Sequence, residues 1–330
     1  MSITERIDAV TCIPERYRGP VVPAPKSVKI ELTGRCNYNC SFCALRTRDK
    51  QPTIADDMPL EFFQQITRDM RQAGVEEIGL FYLGESFMNP DLLVKAIRFL
   101  KQELAFPYVF LTSNASLAKP ECVEACMAAG LDSLKWSVNA ADAEQFAKIM
   151  GVKTALFHQA LINIRVAKAI RDAGGYKTGL YASSIRYDGE QLAKMEALLA
   201  KHVLPYVDEH YFLPLYSMAM RSPEIERNLG YKPMHGNSGR FDVKTGMPTR
   251  DPLPCWAVFS EGHVRADGHL SACCFGSDAR FDVGDLNTQG FMDAWNGPAM
   301  QHIRSAQLRT ETEGPKALDG TFCQSCVAYA

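Results

Sequence analysis

Cysteine is the residue whose placement in this chain most needs a chemical explanation. The segment Gly34-Arg35-Cys36-Asn37-Tyr38-Asn39-Cys40-Ser41-Phe42-Cys43 puts three thiols within eight residues. Thiolates are soft ligands suited to iron–sulfur clusters or zinc. Three of them on one short loop can wrap one face of a cubane, leaving one iron open to a substrate or cofactor. A structural zinc site would want four closed ligands, and no fourth Cys or His stands nearby in sequence. Two blander readings remain on residues alone: three buried thiols, or a zinc knob completed from elsewhere in the chain.

A second group gathers toward the end. Cys255 is followed by Gly268-His269-Leu270-Ser271-Ala272-Cys273 and then by Phe322-Cys323-Gln324-Ser325-Cys326. Two thiolates from around a hairpin and two from a C-x-x-C make a four-thiolate site, which can be a closed 4Fe–4S cluster or structural zinc. Cys274 adjoins Cys273, and adjacent side chains rarely reach one cluster together, so it reads as a non-ligand. Cys122 and Cys126 sit at i, i+4 on a short helix and read as core or helix-surface thiols. Cys12, His158, His202 and His210 receive no role.

Bulk composition supports a metal reading. The 330 residues are 46% hydrophobic and 22% charged with a net charge of −2, which is ordinary globular composition. No long run of one sign argues for nucleic acid as the main partner. No apolar stretch approaches the roughly 20 residues that cross a bilayer. The N-terminus lacks the basic start and apolar run of a secretory signal, so the expected location is cytoplasmic. Reducing cytosol disfavours structural disulfides, and clustered cysteines then point to metal or catalysis.

The elements that must position these cysteines alternate regularly. Residues 27–32 (SVKIEL) alternate apolar and polar side chains as a strand does, and residues 78–83 (IGLFYL) form an apolar run between turn signals. Further strands are expected over 108–113, 133–138, 178–185 and 209–213. Helices are expected over 59–73, 91–103, 120–129, 154–173 and 190–202, the fourth ending at Gly174-Gly175. Six strands alternating with helices imply a parallel sheet with right-handed crossovers, an α/β fold in the form of a partial (β/α)6 barrel. Loops at the strand C-terminal ends should hold the site. Residues 1–25 read as a Pro-rich leading arm, 26–215 as the barrel and 216–254 as a connecting segment without clear period. Residues 255–330 read as a small cysteine-rich module, with a hairpin turn at 266–269 and a helix over about 290–306.

The C-x-x-x-C-x-x-C loop directly after the first strand resembles the signature of the radical S-adenosylmethionine (radical SAM) superfamily. The resemblance covers residues 26–215. It implies that Cys36, Cys40 and Cys43 hold a 4Fe–4S cluster whose open iron chelates SAM. Reductive cleavage of SAM would then yield a 5′-deoxyadenosyl radical that takes a hydrogen atom from the substrate. Leu83-Gly84-Glu85 stands where the family has a GGE-like motif for the SAM amino group, with Leu83 in place of the first Gly. By the same resemblance Asn114 ends a TNG-like turn, Ser137 and Asn139 face the SAM ribose, Arg186 meets the SAM carboxylate, and Phe42 lies by the adenine.

The tail resembles the auxiliary-cluster modules called SPASM and twitch, through Gly268-x4-Cys273 and the stretch from Gly284-Asp285-Leu286 to Trp295-Asn296. The chain ends four residues after Cys326, so one auxiliary 4Fe–4S cluster is expected, on Cys255, Cys273, Cys323 and Cys326. The expected activity is a radical SAM oxidoreductase that dehydrogenates a small polar metabolite such as a sugar or aminocyclitol. Its electrons would come from a flavodoxin or ferredoxin. The short arm, too small for a leader-peptide-binding domain, favours a small molecule over a peptide. The alternatives are a peptide maturase, an epimerase using Cys274 as hydrogen donor, and, from another class, an iron–sulfur electron carrier or metal sensor.

Overall fold

The computed structural model describes residues 2–48, 50–187, 189–213, 240–242, 245–276 and 279–326. Six strands run parallel, each paired with the next: Ser27–Ile30 (β1), Glu77–Gly79 (β2), Tyr108–Ser113 (β3), Ser133–Ser137 (β4), Gly179–Ile185 (β5) and Glu209–Leu213 (β6). Seven helices accompany them: Ile3–Val10 (α1), Leu60–Ala73 (α2), Pro90–Arg98 (α3), Pro120–Ala128 (α4), Ala143–Met150 (α5), Ala155–Gly174 (α6) and Gly189–His202 (α7).

The parity of each strand decides which side is core. Val28, Ile30, Ile78, Val109, Leu111, Leu134, Trp136, Leu180 and Ala182 all join one buried cluster with α2, α3, α4, α6 and α7 residues such as Phe63, Met70, Leu93, Ile97, Val123, Ile164 and Met195. The opposite parity is polar or aromatic: Ser27 and Lys29 on β1, Tyr108 and Phe110 on β3, Ser133 and Lys135 on β4, Tyr211 on β6. These line one cavity, so the sheet curls around a lumen. A slip of one residue would exchange the two faces, and burial of the apolar set therefore fixes the register.

The partial barrel is as expected, with informative differences. α5 is an additional helix, started by Asp142, whose side chain accepts from Gln145 N at 2.7 Å, and ended at Gly151 with φ +62°. β2 is shorter than expected, and residues 81–83 leave the sheet to line the site. The tail helix breaks at Gly297-Pro298 into Phe291–Trp295 and Pro298–Glu313.

The tail does not stand apart. Glu261–Val264 (β7) pairs in parallel with β1, on the side away from β2, and antiparallel strands His269–Ser271 (β8) and Asp282–Asp285 (β9) complete a nine-stranded sheet. The expected turn at 266–269 joins β7 to β8. The leading arm is likewise built in. In α1, Arg6 meets Glu77 at 3.0 Å and the Ile3 N–H donates to Glu209 at 3.0 Å, closing the base of the lumen. Arg304, fully buried, donates to the carbonyls of Pro20, Trp295 and Val258, tying arm to tail. Most of the connecting segment expected over 216–254 lies outside the described residues. Among the described residues no helix is long and apolar enough to cross a membrane.

Candidate active site

The three-cysteine loop leaves β1 at its C-terminal end and is held from three sides. The C-terminus of α5 offers carbonyls that the loop takes up: Asn39 N–H donates to Met150 O and Ser41 N–H to Ile149 O, both at 2.9 Å. Gly151 has to be glycine here, because a Cβ would stand 2.8 Å from Asn39 O on a backbone at positive φ. From below, Arg35 forms a two-pronged pair with Asp57 at 3.0 and 2.6 Å. From the side, Arg48 grips Glu31 through both carboxylate oxygens at 3.0 and 2.9 Å.

Glu31 is a hub that the sequence did not single out. It is 1% exposed. Beyond Arg48, it accepts from the backbone N–H groups of Leu83, Gly84 and Ala266 at 3.3, 3.1 and 3.3 Å. One carboxylate thus joins the cysteine loop, the loop after β2 and the tail hairpin. Gly84 is pressed against this arrangement: a Cβ there would lie 1.9 Å from Thr33 O. Leu83, which replaces the first glycine of the family motif, packs with Ala44 and Leu45 against Cys36 and Cys43.

Cys36, Cys40 and Cys43 line a single cavity of about 940 Å³, counting its mouth. Phe42, Gly84, Glu85, Asn114, Ser137 and Asn139 line the same cavity, so the structure brings six of the seven expected cofactor contacts together with the thiols. Arg186 is placed differently. Its guanidinium donates to Gly246 O at 2.7 Å and lies 5.3 Å from the Phe241 ring, and it does not line this cavity. Glu85 is buried and already engaged: it accepts from Ser113 Oγ at 2.9 Å, Asn114 N at 2.8 Å and Phe87 N at 3.2 Å. A carboxylate offers about four lone-pair sites, so room for a further donor remains. Asn114 in turn reaches Asn37 Oδ1 at 2.9 Å, tying the end of β3 to the cysteine loop.

Burial and then Glu85 push the Cys36 thiol up to about 12, and burial raises Cys40 and Cys43 as well. Left to the protein alone these thiols stay protonated. A cationic metal core among them is what would favour thiolates, and the donor set therefore fits an iron–sulfur cluster. Among the described residues no three His, Cys, Asp or Glu side chains close around a point that one ion could hold. A cubane spreads its thiolates over separate irons and leaves one iron for a non-protein ligand, which three cysteines on one loop beside a cavity suit.

The tail cysteines converge in a more enclosed setting. Cys255 and Cys323 are buried. Cys323 is pushed up to about 12 by burial and then by Cys255 and Cys326. Cys273 is raised by its hydrogen bond to Cys274, by burial, and by Cys326 and Cys255. Each of the four backbone segments is anchored. Gln307 accepts from Cys255 N at 2.8 Å, Thr321 from Cys323 N at 3.1 Å, Cys323 O from Cys326 N at 3.0 Å, and Tyr82 Oη donates to Cys273 O at 2.7 Å. None of the eleven cysteines is in a disulfide.

Cys274 faces the barrel. It lines the lumen cavity, about 1270 Å³ counting its mouth, with Lys29, Lys135, Tyr211 and Glu261. Phe81, Tyr82 and Thr112 line both this cavity and the one at the three-cysteine loop.

The Radical SAM superfamily model matches residues 30–181, and the model of SPASM, an iron–sulfur cluster-binding domain, matches residues 255–327. A probable GTP 3′,8-cyclase of Saccharolobus islandicus (strain M.14.25) is 30% identical over 280 residues, 79% of this chain and 86% of that one. Streptococcus suis SuiB bound to precursor peptide SuiA superposes with a TM-score of 0.61 at 15% identity, covering 86% of this chain and 68% of that one. BtrN in complex with AdoMet and 2-DOIA gives a TM-score of 0.55 at 12% identity, covering 91% of this chain and 92% of that one. At those identities the two structures share the fold.

Proposed function

The chain belongs to the radical SAM superfamily and carries a C-terminal SPASM iron–sulfur domain, and from that premise we propose that it dehydrogenates a small polar metabolite bound in the barrel lumen. The observation that carries this reading is the lumen cavity itself. It shares Phe81, Tyr82 and Thr112 with the cavity at the three-cysteine loop, and it reaches Cys274, next to Cys273 of the tail site. One chamber therefore stands between two cysteine sites, where a substrate can meet both.

The residues divide the work. Cys36, Cys40 and Cys43 hold the first 4Fe–4S cluster, and Cys255, Cys273, Cys323 and Cys326 hold the auxiliary one. When bound, the first cluster and SAM supply a reductively generated 5′-deoxyadenosyl radical, and the auxiliary cluster supplies an electron acceptor. Gly84 lets the backbone approach SAM, Ser137 and Asn139 offer hydroxyl and amide groups to its ribose, and Phe42 lies by its adenine. Glu85 and Asn114 fix the strand-end turn on which this contact surface depends. A flavodoxin or ferredoxin is the proposed reductant. Closure of the lumen base by α1 favours a small molecule over a peptide.

A redox-neutral second reading has two observations in its favour. Cys274 lines the lumen, where a thiol can return a hydrogen atom to a product radical. The Saccharolobus relative is also named as a cyclase rather than a dehydrogenase.

The test uses anaerobically reconstituted enzyme with SAM, dithionite and a fraction of small cellular metabolites, read by mass spectrometry. The expected result is 5′-deoxyadenosine together with a metabolite lighter by the mass of two hydrogens. Intact SAM would end the radical reading. A product of unchanged mass would end the dehydrogenation and leave the redox-neutral reading.

A further inference from the structure

The lumen holds a charge that the protein does not balance. Among the residues lining its cavity are three cations, Arg6, Lys29 and Lys135, and two carboxylates, Glu77 and Glu261. Both carboxylates are committed. Glu77 is met by Arg6 at 3.0 Å and by Lys26 at 3.6 Å. Glu261 is met by Lys29 Nζ at 2.7 Å and lies 3.1 Å from His263 Nε2. Lys135 has only the Tyr211 hydroxyl at 3.1 Å, with the centre of that ring 5.6 Å away. Among the described residues no carboxylate lies within ion-pair distance of it.

Lys135 cannot leave the lumen without moving β4. Its strand neighbours Leu134 and Trp136 are fully buried on the outer face, and the period of two then points Lys135 inward. A bland reading would have the ammonium merely solvated through the mouth of the cavity, with Tyr211 as its rest. Against it, the ammonium is half-buried on the lumen wall with no carboxylate beside it, a poorer setting for a cation than open water. Thr112, between the two cavities, also keeps a buried hydroxyl without a hydrogen-bond partner.

We propose that Lys135 is a specificity-determining residue that anchors an anionic group of the substrate, a carboxylate or a phosphate, with Tyr211 as its supporting contact. The proposal rests on the lumen being the substrate chamber. It narrows the substrate to an acidic small molecule whose neutral end faces the shared residues Phe81, Tyr82 and Thr112.

The experiment titrates SAM-loaded, cluster-reconstituted enzyme with malonate, with pyrophosphate and with glycerol, by anaerobic calorimetry. Wild type is compared with Lys135→Met and Lys135→Arg. At least one anion is expected to bind wild type, to lose about tenfold or more in affinity with Lys135→Met, and to be largely retained by Lys135→Arg. Glycerol should not distinguish the three proteins. Preference for malonate identifies a carboxylate and preference for pyrophosphate a phosphate. Anion affinity unchanged in Lys135→Met, or no anion binding to wild type, overturns the proposal. Substrate-free formation of 5′-deoxyadenosine by wild type is followed in parallel as the readout of the radical reading. Its absence from wild type would sink the radical reading while the anion titration still decides Lys135.

Discussion

Cys36, Cys40 and Cys43 all line one cavity, whereas of the tail four Cys255 and Cys323 are buried and Cys273 stands next to the lumen-lining Cys274. The loop site borrows its support from neighbours: carbonyls at the end of α5, the Glu31 carboxylate, and the close approach of Gly84. The tail site anchors every segment that bears its thiols, through Gln307, Thr321, Tyr82 and the turn within Cys323–Cys326. Metal sites with an open position do chemistry, and closed ones hold structure or carry electrons. On that ground the proposed roles differ: chemistry at the loop site, and structure or electron transfer at the tail site.

The largest effect should come from removing each ligand set. Replacing Cys36, Cys40 and Cys43 together by Ala is expected to abolish 5′-deoxyadenosine formation and to halve the bound iron, from about eight to about four per chain. Replacing Cys255, Cys273, Cys323 and Cys326 should remove the other half and stop product formation, while SAM cleavage persists. Iron analysis and chromatography of 5′-deoxyadenosine read both. Stoichiometric zinc in the native tail, or SAM cleavage by the loop variant, would erase the distinction between the sites.

Glu31 connects the two regions, and Glu31→Gln tests whether they are one structure. The change leaves the Arg48 guanidinium without its carboxylate in a nearly buried position. Breaking such a pair costs about 3–5 kcal/mol. The expected outcome is a clearly lowered melting temperature in calorimetry, with iron released from the loop site before the tail site. A variant that melts like wild type would show that Glu31 is not the link.

How much of this was legible beforehand depends on what each residue touches. The cysteine spacings and the apolar parity of the strands are local signals, and both read through to the structure. The signals for α5 were also present, with Asp142 three residues before Gln145 and Gly151 at the end, but the helix is short. β7 was hidden for a different reason. Glu261 faces the lumen and the buried His263 lies beside its carboxylate, so Glu-Gly-His-Val lacks the apolar character of a strand, and its pairing with β1 is long-range. Glu31 looked like one polar position in an alternating strand, and only the fold brings Arg48, Gly84 and Ala266 to it. Arg186 stands at the end of β5 as expected, yet its partners Gly246 and Phe241 come from a stretch without periodicity.

Gly84→Ala probes the open site alone. A Cβ at this position meets backbone atoms, Thr33 O at 1.9 Å and Arg35 O at 3.0 Å, which cannot swing away as a side chain would. Overpacking of this kind costs about 1–3 kcal/mol, and here it displaces the residues next to Cys36. SAM affinity is expected to fall about tenfold, the equivalent of about 1.4 kcal/mol, with the tail iron unchanged. Equal loss of iron from both sites would mean that the substitution unfolds the barrel rather than disturbing the loop.

The smallest effect is expected at Cys274, and it bears on which reaction the two sites perform together. Cys274 lines the lumen but follows Cys273, whose carbonyl is fixed by Tyr82, so its thiol is held at the border between chamber and tail site. Were that thiol to quench a product radical, it would give up its hydrogen atom and be left as a thiyl radical that must be reduced in every turnover. Because thiol hydrogens exchange with water, the product formed in D2O would carry deuterium at the carbon attacked. Dehydrogenation would need no such donor: the substrate would give up an electron to an acceptor held by Cys255, Cys273, Cys323 and Cys326, and a proton to solvent or to a neighbouring base. Cys274→Ala is therefore expected to keep turnover within about twofold, since the half-buried thiol then acts as a small apolar filler and its loss leaves a small void. Product made in D2O should carry no deuterium on carbon. A variant that still forms 5′-deoxyadenosine but no product, together with deuterium in the wild-type product, would make Cys274 the hydrogen donor and the reaction redox-neutral.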